Sequence, residues 1–325
     1  MNMFAIISPL IVVALLGFIC TKTKWLSQDQ LNALSKFTFS ISIPAFLFYQ
    51  MSKANFSEQI SPQLFAAFYL PVLICYFIAW LISYYFYRDK HHLSNTNNPT
   101  TENKNSATSA VFALGSSYSN TVIVGLPVLL AALGDQVIGI VFLIVTFHSA
   151  MLFSLTSAIV ARSNAKNSDQ KSNLFTFIIQ TFNNPLILSI LSGLLVNLFG
   201  IDLPDFLQNS LALISKPAIS LVLFVLGASL AFYPVKSKLK FISIACLIKL
   251  ILLPTFVFIT ANYIFNLEPF IITVLVILSA CPTGVNAYLI AITHQHHQET
   301  VASTVVISTL LSIVTVPLWL SFMLL

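Results

Sequence analysis

Two short stretches hold the residues best suited to bind something. The first is "SNTVIVGLP", Ser119 to Pro127, and the second is "CPTGVNAY", Cys281 to Tyr288. Each combines an amide or hydroxyl (Ser119, Asn120, Thr121; Thr283, Asn286) with a helix-weakening glycine and proline (Gly125, Pro127; Pro282, Gly284). Proline has no N–H for the residue four positions back, glycine lowers helix stability, and Asn and Thr bond their own backbone instead. Such sequence predicts interrupted helices. Free backbone amides and half-helix N-termini then form a positive, directional site suited to a carboxylate. Ser119 and Tyr288 are further polar groups able to line a cavity there. Proline and glycine in an apolar helix often do no more than kink it, but two such stretches, each with an Asn, argue for a site.

Three other features carry titratable groups. Lys249 lies about nine residues past the basic cluster ending at Lys240, roughly 13 Å along a helix. That depth exceeds easy snorkelling and predicts an inward-facing ammonium. No acidic residue in the apolar runs is a good partner, so helix-end carbonyls are the alternative, and the lysine would then stand in for a coupling cation. His148 is a lone histidine and reads as a satisfied interior residue rather than a proton relay. "HQHHQE", His294 to Glu299, has weak spacing for a metal and reads as a solvated loop. Cys20, Cys75, Cys246 and Cys281 all sit in apolar runs with no CxxC pair, so neither disulfides nor a cysteine metal site is expected. No cofactor or metal is implied.

The elements that must position these residues are membrane spans. Of the 325 residues, 57% are hydrophobic and 8% charged, against about 25% charged in soluble domains. Apolar windows recur at about 4–21, 34–52, 64–87, 108–132, 136–161, 173–199, 210–233, 241–265, 269–292 and 300–324, each long enough to cross a bilayer. The stretch from Phe4 to Cys20 lacks the flanks of a cleaved signal and reads as a retained first span. The polar, Asn-rich segment from Arg88 to Thr108 reads as a flexible linker. Asn120 then lies about 18 Å from the cytoplasmic end of its window, near mid-bilayer. Non-helical backbone at that depth must face protein or a watery cavity.

Charge sets the topology. Lys22, Lys24, Lys36, Arg88, Lys90, Lys104, Arg162, Lys166, Lys171, Lys236, Lys238 and Lys240 fall on odd-numbered loops, twelve of the fifteen basic residues. Odd loops are therefore expected in the cytoplasm and both termini outside. No basic stripe with interleaved aromatics accompanies the net charge of +5, which argues against nucleic acid.

The two halves match. Pro9 and Gly17 of window one keep the eight-residue spacing of Pro185 and Gly193 in window six. Pro44 and Pro217 each open a Pro-Ala pair, Pro71 pairs with Pro254, and the two interrupted windows are the fourth and ninth. Five windows per half invert the second copy, the architecture of many secondary transporters. The expected domains are a first five-helix repeat at 1–162, a central cytoplasmic loop at 163–172 and a second repeat at 173–325.

"NTVIVGLPVLLAALG" (Asn120 to Gly134), "ACPTGVNAYLIA" (Ala280 to Ala291), "NNPLILSILSGLLVN", "LFVLGASLA" and "IKLILLP" together resemble the auxin efflux carrier family, which includes bacterial malate and malonate permeases. The resemblance covers essentially the whole chain. It implies an all-α membrane fold of ten transmembrane helices, a five-plus-five inverted repeat with helices 4 and 9 broken, as in sodium/proton antiporters and bile-acid symporters. Helices 1, 2, 6 and 7 would form a scaffold, often dimeric. Helices 3–5 and 8–10 would form a transport domain that moves as an elevator in the cytoplasmic (inner) membrane, with the anion at the helix 4/9 crossover.

The chain departs from the family's plant members, which typically carry Asn-Pro-Asn where Tyr118, Ser119 and Asn120 stand here. Ala287 occupies the position of the second crossover proline, and window three lacks the acidic residue. These departures argue against auxin, favour a small carboxylate such as malate or malonate, and leave proton or sodium coupling open. An intramembrane enzyme would want a Gly-x-Ser-Gly nucleophile or two membrane aspartates, and "ALGD" ending at Asp135 supplies neither. A channel would not need the repeat. A sodium-coupled symporter of bile-acid type is the main alternative, although no carboxylates stand at the crossover to bind its cation.

Overall fold

The computed structural model describes residues 3–53, 61–92, 99–164, 185–232 and 239–324. The central loop beyond Asn164, the start of the sixth window (173–184) and residues 233–238 of the seventh loop lie outside the described residues. The described chain is helical: α1 (Met3–Lys22), α2 (Gln28–Phe37), α3 (Ile43–Lys53), α4 (Pro62–His92), α5 (Pro99–Ser117), α6 (Leu126–Leu133), α7 (Ile138–Asn164), α8 (Pro185–Leu198), α9 (Asp205–Ser215), α10 (Ala218–Leu230), α11 (Leu239–Leu247), α12 (Leu253–Ile259), α13 (Pro269–Ala280), α14 (Val285–His294) and α15 (Gln298–Met323). π-helical turns precede α3, α6 and α12 and follow α12.

Among the described residues six stretches are long and apolar enough to cross a membrane, namely Gln28–Lys53, Pro62–Phe86, Asp135–Ser163, Asp205–Leu230, Leu239–Ile264 and Gln298–Met323. Shorter apolar helices cover Ser8–Lys22, Thr121–Leu133, Pro185–Leu198 and Pro269–Ala280. Windows four and nine are each broken in two. The linker expected over Arg88 to Thr108 is instead helical up to His92 and again from Pro99. Polar composition does not by itself exclude helix; Pro99 suits a first helical turn, where the missing N–H is not needed.

The chain forms two compact units, each drawn from both halves of the sequence. One comprises Met1–Ile60, Val122–Thr146 and Ile178–Tyr233, the other Ser61–Thr121, Phe147–Phe177 and Pro234–Leu325. In the first, α1 packs along α10 and α3 along α8. The matched glycines are where these helices touch. A Cβ on Gly17 would stand 2.0 Å from the Phe224 carbonyl oxygen, and one on Gly193 2.6 Å from that of Phe48. Gly227 is tighter still, 1.7 Å from the Ala14 carbonyl oxygen. Backbone cannot yield as a side-chain tip does, so a larger residue must push the helices apart. Gly227→Val is expected to destabilise the protein by about 3 kcal/mol or more and to lower the thermal unfolding midpoint in detergent. Leu15→Ala, on the exposed face of α1, is expected to leave it nearly unchanged. At the start of α2, Ser27 and Gln30 form a reciprocal capping box, each side chain bonding the other's backbone N–H.

In the second unit the matched prolines free two carbonyls, and both find donors. Pro71 cannot bond the Ala67 carbonyl, which accepts from the Thr260 hydroxyl at 2.7 Å. Pro254 cannot bond that of Leu250, which accepts from Trp319 Nε1 at 3.0 Å. Each proline-bearing helix is thereby tied to another element of the same unit. On α4, Leu70, Ile74, Phe77 and Leu81 form an exposed apolar stripe while Phe68, Val72, Cys75, Tyr76 and Ala79 are buried. A helix apolar on both faces belongs in lipid.

Candidate functional site

Every residue of the site described here belongs to the second unit. α5 stops at Ser117, and Tyr118 to Asn120 run extended before a π-helical turn begins at Thr121. α13 stops at Ala280, and Cys281 to Gly284 run extended before α14 begins at Val285. The two extended stretches pair antiparallel, with Ser119 opposite Thr283. The Asn120 N–H donates to the Pro282 carbonyl at 2.9 Å, and the Gly284 N–H to the Tyr118 carbonyl at 3.0 Å. Two broken helices therefore satisfy part of each other's backbone, the requirement non-helical chain must meet inside a membrane.

The carbonyl ends of the upstream halves are also met. The Thr283 hydroxyl donates to the Gly115 carbonyl of α5 at 2.9 Å. The Lys249 ammonium, fully buried in the π turn before α12, donates to the Ser279 carbonyl of α13. Its partner is thus the helix-end carbonyl weighed from the sequence. A cation belongs at that end, because the unpaired carbonyls of a helix C-terminus carry its partial negative charge. Cys75, Cys281 and His148 lie within electrostatic reach of the same ammonium.

Ser119, Asn120, Thr121, Thr283 and Gly284 are all buried at the pairing. Asn286, in the first turn of α14, is exposed, and its side chain interacts with the Tyr118 hydroxyl. Tyr288 is half-buried two residues further along α14. Among the described residues the Ser119 hydroxyl and the Asn120 amide nitrogen are buried without a hydrogen-bond partner, which leaves polar capacity for a ligand.

Of the residues expected at the breaks, Pro282 and Gly284 lie in one. Gly125 and Pro127 fall in the first unit, inside the helix that has already restarted, with Pro127 near the start of α6. Ala287 lies within the first turn of α14. The physical reason is the same each time: a residue tolerated in a first turn marks where a helix begins, a few residues after the unwound segment.

His148, read from the sequence as a satisfied interior residue, is part of the site. Its Nε2 accepts from the Ser119 N–H at 3.0 Å, and its ring stacks on Tyr118 at 5.0 Å between centroids, 13° between planes. Ser308 stands in the same relation to Thr283, whose N–H donates to its hydroxyl oxygen at 3.0 Å. Ser308 carried no signal among the other serines and threonines of the last span.

The histidines at the end of α14 and just after it are splayed. His294 Nε2 lies 3.2 Å from the Ser157 hydroxyl, His296 Nδ1 3.1 Å from that of Thr108, and His297 Nδ1 3.1 Å from that of Thr300. Burial, aided by the charge of His296, holds His297 down to about 4, and burial lowers His294 too. Among the described residues no cluster of three metal-capable side chains occurs. The segment expected as a solvated loop is part-exposed, with Gln295 and Glu299 at the surface, and its histidines are tied to α5, α7 and α15.

Apolar helices with lipid-type outer faces, and two broken helices paired in the interior of one unit, define a multi-pass membrane protein of the transporter class. Comparison with known proteins fixes the family: residues 3–320 match the family described as membrane transport protein, and the chain belongs to it. It is 24% identical over 315 residues to the uncharacterized transporter YfdV of Escherichia coli (strain K12), covering 96% of this chain and 95% of that one. It is 29% identical over 202 residues to a protein of Rhizobium meliloti (strain 1021) named putative malonate transporter, covering 62% of each. The uncharacterized transporter MJ1031 of Methanocaldococcus jannaschii is 24% identical over 319 residues, 95% of each chain. The family and these relatives are transporters, which points away from an enzyme.

Proposed function

We propose that the protein is a secondary transporter moving a small organic carboxylate across the cytoplasmic membrane, with the anion held where the two broken helices pair. The observation that carries this reading is the antiparallel pairing of Tyr118–Asn120 with Pro282–Gly284, which starts two helices beside Asn120 and Asn286. Helix starts favour anions, and the opposite, carbonyl end already holds a built-in cation in Lys249. That arrangement supports transport without a bound sodium ion or a coupled proton. The name of the Rhizobium relative supports malonate, with malate, as the first substrates to try.

The reading extends to the whole chain as a ten-helix, five-plus-five inverted repeat with both termini outside. The matched close approaches at Gly17 and Gly193 support the repeat, as do the donors matched to Pro71 and Pro254. Helices 1, 2, 6 and 7 act as a scaffold, assembled as a homodimer, against which the site-bearing helices move as an elevator. An interior-negative potential drives an uncoupled anion outward, by about 2.3 kcal/mol per charge per 100 mV, so net flux is export or exchange.

The test is flux of labelled malate, malonate and indole acetate in proteoliposomes under an imposed potential, with and without sodium and proton gradients. Potential-driven, sodium-independent carboxylate flux is expected from the wild type, and its loss in Asn120→Ala and Asn286→Ala. A sodium requirement would move the protein to the bile-acid type of symporter. Survival of flux in both variants would move the site elsewhere.

A further inference from the structure

The pairing of Ser119 with Thr283 leaves a specific problem. The two hydrogen bonds that hold the strands flank this residue pair. The N–H groups of Ser119 and Thr283 themselves therefore point away from the opposite strand. Both residues are buried, and a buried N–H without an acceptor costs about 1–3 kcal/mol. Neither finds its acceptor in the backbone. In each half the helix that follows the broken one supplies a side chain, His148 from α7 and Ser308 from α15.

The chemistry of each acceptor is fixed by its surroundings. An imidazole nitrogen that accepts an amide proton must be unprotonated, so the neutral ring carries its hydrogen on Nδ1, which is buried with no hydrogen-bond partner. An imidazolium has two donors and no acceptor, and it would break the bond to Ser119. The ring is clamped by Tyr118 on one face and by the edge contact of Phe68, 5.6 Å between centroids at 67°. Ser308 directs its hydroxyl proton to the Val305 carbonyl of its own helix, which leaves its lone pairs for Thr283.

We propose that His148 and Ser308 are paired positioning residues, neutral acceptors that fix the two extended segments and through them the placement of Asn120 and Asn286. This proposal rests on the crossover being the transport site. A proton-carrying role for His148 conflicts with it, because protonation removes the acceptor.

Gln and Met have nearly the same length, and only Gln offers an acceptor near the Nε2 position. The comparison is therefore His148→Gln against His148→Met, with Ser308→Ala as a small, fold-preserving removal of the second acceptor. Two readouts are taken on the full-length protein. Hydrogen exchange of peptides spanning 118–121 and 282–286 in detergent needs no substrate, so it tests the clamp even if the transport reading fails. KM and maximal rate for labelled malonate in proteoliposomes test its consequence.

Exchange at 118–121 is expected to stay slow in His148→Gln and to quicken in His148→Met, and exchange at 282–286 to quicken in Ser308→Ala. Malonate KM is expected to rise about tenfold in His148→Met and Ser308→Ala, a change of about 1.4 kcal/mol, with His148→Gln recovering most of it. Equal behaviour of the Gln and Met variants in exchange and KM would overturn the proposal. So would a loss of transport in His148→Gln with exchange unchanged, since that would return His148 to proton carriage.

Discussion

Replacement of Lys249 by Met is expected to reduce potential-driven carboxylate flux at least tenfold while shifting the thermal unfolding midpoint little. The argument separates two consequences of one substitution. The ammonium is fully buried, and taking a charge out of water is expensive. Exchanging the buried ion for an apolar chain of similar length removes that desolvation cost, which offsets the loss of its one hydrogen bond in the stability of the fold. For transport that bond is another matter. The bond to the Ser279 carbonyl is charge-assisted, of a kind worth about 1.5–3 kcal/mol, and it ends α13 one residue before its last position, just upstream of the paired segment. Met leaves that carbonyl unmet and the negative end of α13 without a counter-charge. The crossover then loses an anchor at the point where the chain leaves the helix. Flux in proteoliposomes and unfolding in detergent, measured on the same preparation, decide the matter. Wild-type flux in Lys249→Met would remove the lysine from the mechanism. A large fall in unfolding temperature would make it a residue of the fold alone.

Lys249 also shows what the sequence makes legible. A lone charge nine residues beyond a basic cluster stands out in any apolar run, and its burial follows from depth alone. The matched prolines were equally visible, because a missing N–H is a property of the residue itself. What satisfies the freed carbonyls was not, since Thr260 and Trp319 are distant in sequence from Ala67 and Leu250. The break in the fourth window was legible, at Tyr118 to Asn120 by resemblance, while Gly125 and Pro127 pointed several residues too far downstream. Pro127 drew attention to itself, whereas the unwound residues Tyr118 to Asn120 are held extended by Pro282 and Gly284, some 160 residues away. His148 is the sharpest case. Nothing local distinguishes an imidazole that fills space from one that accepts a backbone proton, and only the arrival of Ser119 beside it decides. Composition misled at 88–108 because polar residues are not barred from helices, and α4 and α5 both run into that segment as helices.

The second large effect is expected from Gly284→Ala. The backbone of Gly284, φ −72° and ψ 140°, is one that any residue adopts, so the requirement for glycine is one of space alone. A Cβ there would lie 2.4 Å from Tyr118 Cε1 and 2.6 Å from Cδ1. An exposed ring would swing aside, but this one is held. His148 stacks on it, Phe153 packs against it at 4.9 Å between centroids, and its hydroxyl lies 2.8 Å from that of Ser149. The added methyl must therefore part the two extended segments and stretch the bond from the Gly284 N–H to the Tyr118 carbonyl. Overpacking of this kind destabilises by about 1–3 kcal/mol. Its effect on transport is expected to be larger, because displacement of a binding group by about 1 Å is able to lower a rate about 100-fold. The decisive measurement is a double-mutant cycle on malonate flux with Tyr118→Ala, which removes the obstructing ring. Gly284→Ala is expected to be severe beside the native tyrosine and mild in the Tyr118→Ala background, the non-additivity of two residues in contact. An equal penalty in both backgrounds would show that the ring is not what keeps a side chain out of position 284.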